Sequence, residues 1–178
     1  MADGSAAFAL TLDELRELTG YAVACARPAP AVLERERPDD QRPRAAIDVA
    51  QAFADGARRT KALRDHAWAT HRAAQEARDA GQAAAGDAAR AAHACGAAFL
   101  HPLAKATQVK HVLGSAAHAA RALELAAGDD RLARSLLLAT PVVVDALRRH
   151  PAAPSGGGRV GELVRRSDAS LRGTTETR

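Results

Sequence analysis

The side chains best suited to chemistry near neutral pH are seven histidines, and two pairs of them fall at helical distances. His66 and His71 would sit about 140° apart around an α-helix, so they cannot hold one ion from one face. His111 and His118 are nearly in phase, but about 10 Å separates them along the axis, too far to share an ion without a bridging group. No H-E-x-x-H or E-x-x-H spacing and no Cys/His cluster occurs, so neither a metal nor a cofactor is expected. What His111 and His118 do share is one side of a helix, opposite the stripe of Val109 and Val112. If both sides of that helix are covered, the two rings line a polar seam or shallow pocket beside His93 or His101, open to a small molecule. Lys105 falls in phase with the apolar stripe if the helix is continuous. Snorkelling at the first turn is its ordinary explanation, and a buried amine nucleophile is the chemical one. For each histidine, a place on the surface or a hydrogen-bonded place in the core is the plainer reading.

A second group suits recognition. Trp68 lies in the middle of a charged helix side, between Arg64 at i−4 and Arg72 at i+4. Such an aromatic is either covered by another helix of the same chain, the preferred reading, or anchors a partner, because Trp and Arg concentrate at binding hot spots. Arg37, Asp39, Asp40, Arg42 and Arg44 make a dense charged stretch, which is either a solvated loop network or the rim of a recognition surface.

Enzyme signatures are otherwise missing. There is no G-x-x-x-x-G-K-[ST] and no G-x-S-x-G, and Ser155-Gly-Gly-Gly158 has neither a strand before it nor a lysine after it. An ATP-driven activity is therefore excluded, no catalytic residue is assigned, and the balance leans away from an enzyme. Cys25 and Cys95 sit in apolar helical stretches without a C-x-x-C pairing and are read as small buried thiols. The formal net charge of +4 resides wholly in residues 148–178, which leaves the rest of the chain balanced. Only that stretch could make sequence-independent phosphate contacts, so nucleic acid is at most a weak partner. No apolar run approaches the roughly 18 residues of a membrane span, and Phe8-Ala-Leu is followed at once by charged residues rather than by a secretory core. A cytoplasmic location is expected.

The elements that must position these groups are all helical. About a quarter of the residues are alanine, which favours helix and lets helix axes approach closely but buries little area per residue. Self-association could supplement so thin a core. Thr11-Leu-Asp-Glu14 is a capping box that opens a helix running to Ala26, with Leu15, Leu18, Ala22 and Cys25 on its buried stripe. A short turn over 31–36 and a helix over 42–55 follow, the latter started by Asp40 and Pro43. A helix over 58–79 ends at Gly81, and an alanine helix over 83–100, apolar all round, is expected at the centre. Helices over 103–127, 130–139 (capped by Asp130) and from Pro141 to Arg149 complete an orthogonal bundle of six to seven helices over residues 8–150. Residues 151–178 read as a Gly/Pro linker and a flexible basic tail, with a short amphipathic helix over 160–171 when that segment meets a surface.

Two stretches carry a resemblance. Glu34-Arg-Glu-Arg-Pro-Asp-Asp-Gln-Arg-Pro-Arg-Ala-Ala-Ile47, followed by Ala69-Thr-His-Arg-Ala-Ala74, is similar to small helical actinobacterial immunity proteins. Phe99-Leu-His-Pro-Leu-Ala-Lys-Ala-Thr-Gln-Val-Lys-His111 through Ala126-Ala-Gly-Asp-Asp130 resembles the same group, and Pro141-Val-Val-Val-Asp-Ala-Leu-Arg-Arg-His-Pro151 extends the likeness. Some members of that group carry an SbcC-type exonuclease label, which the missing phosphate loop contradicts for this chain. The resemblance implies binding and neutralising a toxin partner inside the producing cell, and it supplies no catalytic residues. A non-catalytic, immunity-type binding protein is thus the leading expectation, with Trp68 and the Arg37–Arg44 segment as contacts. The alternative is a small-molecule-binding or enzymatic helical domain using the seam of His93, His101, Lys105, His111 and His118.

Overall fold

Thr11 opens the first helix as the spacing predicts. Its hydroxyl accepts the Glu14 N–H at 3.1 Å, and the Glu14 carboxylate accepts the Thr11 N–H at 2.7 Å, so two otherwise orphaned donors are satisfied reciprocally. In the computed structural model, residues 9–100, 104–129 and 131–173 are described. The α-helices are α1 (Leu12–Ala26), α2 (Pro30–Glu36), α3 (Arg42–Ala54), α4 (Lys61–Asp79), α5 (Ala83–Ala91), α6 (Val109–Ala127), α7 (Leu132–Leu137), α8 (Pro141–Arg149) and α9 (Gly158–Arg172). No strand occurs among the described residues. The Asp130 cap expected from the sequence lies outside them.

Large side chains from many helices meet in one core: Leu18 and Val23 from α1, Phe53 from α3, Leu63 from α4, Leu113 from α6 and Leu147 from α8. Alanine fills the space between axes. Ala85, Ala88, Ala89 and Ala91 leave α5 in close contact with α4, α6 and α2, which is the central place its all-round apolarity implies. Cys25 is buried, and burial pushes its thiol up to about 11, so it stays protonated and inert.

Two expectations are corrected. The alanine helix over 83–100 does not run through: α5 stops at Ala91 and the chain tightens into a 3-10 segment, His93–Phe99. Gly96 lies in that segment, and a Cβ there would come within 3.0 Å of the His93 ring, so the tighter winding and the bare glycine together make room for the imidazole. The helix expected from 103 begins as α6 only at Val109, after a 3-10 turn over Ala106–Gln108. Lys105 is therefore in extended chain (φ −110°, ψ 136°), exposed and out of phase with the stripe of α6.

The amphipathic helix expected over 160–171 forms as α9. The surface this amphipathic segment needs is the molecule's own α6: α9 buries Leu163 and Val164 in the common core and packs beside α6, α7 and α8. The basic residues nearby are spent on holding it. Arg159 bridges Glu124 of α6 at 2.7 Å, Arg172 bonds Asp168 at 2.6 Å and the His150 carbonyl at 3.0 Å, and Arg165 donates to the Gly156 carbonyl at 2.6 Å. Those arginines are thereby withdrawn from the phosphate contacts that the sequence left open.

Candidate functional site

The outer side of α4 is the first region of interest. The apolar stripe of this helix (Leu63, Ala67, Thr70, Ala74, Ala77) faces the core, and the charged side turns away from it. Trp68 is on that outer side and stays 58 % exposed, so the expected covering by another helix does not occur. Its ring meets His71 edge-on at 5.8 Å between centroids. Arg64 does not stack on Trp68, because its guanidinium lies 4.7 Å over the Phe99 ring, with Arg59 nearby at 5.6 Å. The result is an aromatic and cationic patch built from α4 and the end of the 3-10 segment.

The charged stretch between α2 and α3 sits against the last turns of the same helix, as a clamp. Arg42 bonds Asp40 at 2.7 Å and reaches Glu76 of α4 at 2.5 Å, while Arg37 donates to the Glu76 carbonyl at 2.9 Å and to Gln82 at 2.8 Å. Arg44 pairs with Glu34 of α2. These guanidinium contacts hold the carboxyls of Asp40, Glu34 and Glu76 below the usual carboxylate range. Asp40 also accepts the Arg42 N–H at 3.2 Å at the start of α3. Asp39 and Arg44 are exposed on the outer edge. Glu76 is two turns from Trp68, roughly 12 Å along the axis, so clamp and patch adjoin on one helix.

Behind α4 lies a cleft of about 330 Å³ between α4, α5, α6 and α9. His93, His111 and His118, placed on one seam by sequence, all line it. Lys105 does not, for the reason given above, and His101 lies outside the described residues. Arg78, Arg90 and Lys110 also face the cleft, and sequence reasoning missed them. The available signal for Arg78 was Gly86: a Cβ there would come within 2.7 Å of the Arg78 side chain, so a glycine inside α5 marks where that stem crosses. The far wall is the first turn of α9, with Val160 and Gly161.

Hydrogen bonds fix the rings. His93 Nδ1–H donates to the Ala67 carbonyl at 3.1 Å, and His118 Nδ1 bonds the Asp87 carboxylate at 2.8 Å. Burial, then Arg90, pushes His93 down to about 4, so it is neutral at pH 7. Burial also lowers His118, with Asp87 opposing the shift. Arg90 donates to His71 Nδ1 at 2.6 Å, which joins the cleft to the ring that touches Trp68. Among the described residues no group of three or more His, Cys, Asp or Glu side chains is placed to hold a metal ion, and no helix is long and apolar enough to cross a membrane.

Comparison with known proteins gives a family and nothing finer. The family model described as Imm-5 like putative immunity protein matches residues 9–137, more than half of the chain. No curated protein and no solved structure matches it.

Proposed function

The chain belongs to the Imm-5 like family of immunity proteins, and from that premise we propose that it binds a toxin in the cytoplasm and occludes the toxin's active site with a preformed helical surface. The observation that carries this reading is Trp68, a large aromatic left 58 % exposed on a helix that is otherwise well clamped. Covering what remains of that ring would contribute roughly 3 kcal/mol at about 25 cal/mol per Å². Arg64 and Arg72 flank it at one turn on either side and favour a partner with an acidic rim. The clamp of Arg37, Asp40, Arg42 and Glu76 holds α4 in place before contact, so little ordering entropy is lost on binding. Asp39 and Arg44 extend the contact along the same edge.

Affinity capture from the native cell lysate, read by mass spectrometry, tests the proposal. A stoichiometric protein partner should be retained, and Trp68→Ala should weaken its binding by about thirtyfold or more, the loss of one hot spot, without changing Tm. Retention of a metabolite with no protein, or binding indifferent to Trp68→Ala, overturns it.

A further inference from the structure

The arginines of the cleft behave differently from those of the clamp. Arg90 is partly buried, and its hydrogen-bond partner is the ring of His71 at 2.6 Å. Among the described residues it makes no ion pair with a carboxylate. Burial and the neighbouring Arg78 lower its pKa, as expected for a cation short of a counter-charge. Lys110 is exposed at the lip and likewise has no ion pair among the described residues. The carboxylate within reach is Asp87, and it is already divided between Arg78 at 3.4 Å and His118 at 2.8 Å. Three cations thus line a cleft of about 330 Å³, at the lower end of the volumes typical of small-molecule sites, with that one nearby acid already shared.

We propose that this cleft binds a small metabolite carrying a phosphate or carboxylate group, with Arg90 and Arg78 gripping the oxyanion, Lys110 closing over it, and Val160 and Val164 packing against its apolar part. A guanidinium presents parallel N–H donors that match two oxygens of such a group, and a partly desolvated site makes each charged hydrogen bond stronger than in water. The geometry keeps the space open. Gly114 of α6 lines the cleft, and a Cβ added to it meets nothing within 4 Å. The first turn of α9 closes the opposite side, where the positive end of the helix dipole adds to the field. The proposal does not rest on the immunity reading, because it concerns the inner side of α4 and needs no protein partner.

The test is thermal unfolding of the full chain with inorganic phosphate or with citrate, against sodium chloride at equal ionic strength, backed by calorimetric titration. At ten times the dissociation constant, Tm should rise by about 3 °C or more above the chloride control. A rise with phosphate assigns a phosphate ester, and a rise with citrate a polycarboxylate. Arg90→Gln and Gly114→Leu, the second removing space rather than charge, should each abolish the rise while the protein still melts cooperatively. Arg148→Gln, on an exposed arginine outside the cleft, should leave it intact. No rise above chloride with either anion, or a rise that survives Arg90→Gln or Gly114→Leu, overturns the proposal.

Discussion

The clamp at the end of α4 and the cleft behind it are both rich in arginine, yet their charges are used in opposite ways. In the clamp, Arg37, Arg42 and Arg44 each meet a carboxylate, and Arg42 meets two. In the cleft, Arg90 meets an imidazole and Arg78 shares a single acid with His118. The difference teaches that a run of charges in a sequence reports density, not availability. A paired guanidinium fixes the fold around it, whereas one held without a carboxylate is available to a ligand.

The largest expected test of this contrast is acid. His93 is kept neutral in the fold by burial, while in the unfolded chain it protonates near 6.5. A depressed histidine pKa means that the unfolded state binds more protons in between, so stability is full above about 6.5 and is lost as pH falls toward 4. The loss should be on the order of 3 kcal/mol, and His93→Gln should remove that part of the slope in urea melts taken across this range. The cleft, on this expectation, is the acid-sensitive region. Urea midpoints of an Arg37→Gln variant should show the clamp's share unchanged from pH 6.5 to 5, since its carboxylates are held ionised well below that.

Next in size is Gly161→Ala. The added Cβ would sit 2.0 Å from the Gly156 carbonyl oxygen, so the start of α9 must shift; the loss should be roughly 1–3 kcal/mol by urea denaturation, with the cleft disrupted. Arg42→Met should cost about 1 kcal/mol, because Asp40 and Glu76 lose their shared partner, whereas Arg90→Met should be neutral or slightly stabilising. If both arginine variants destabilise equally in chemical denaturation, the distinction between spent and available charge is broken. The smallest effect belongs to Gly114→Ala, which should stabilise by about 0.5–1 kcal/mol in the same assay, since the glycine is in mid-helix and the methyl meets open space.

How much of this was legible depended on whether the signal was local. The capping box of α1 involves residues three apart, and it appears as the spacing predicts. The start of α3 is legible in part: Pro43 lies in its first turn as expected, but the N-cap is Gln41, and Asp40, one residue earlier, accepts the Arg42 N–H instead. The in-phase pair His111 and His118 could be placed together because one helix carries both. The partners of that pair could not. Arg90 and Asp87 come from α5 and Arg78 from α4, and no periodicity links residues across separate helices. The break at His93 was equally hidden, because alanine fits an α-helix and a 3-10 turn alike and leaves no mark where one becomes the other. Lys105 was misplaced for the same reason: its phase was counted along a helix that had not yet begun. Trp68 was the reverse case, since a pattern on one helix cannot say whether another helix crosses it.

The wall that α9 gives the cleft has a consequence for inheritance. The family match ends at residue 137, so the outer side of α4 lies within the shared stretch, while α9, joined to the body through three successive left-handed glycines at 156–158, lies beyond it. A chain divided in this way can vary the α9 wall of the cleft while the clamp and the aromatic patch of α4 stay within the shared stretch.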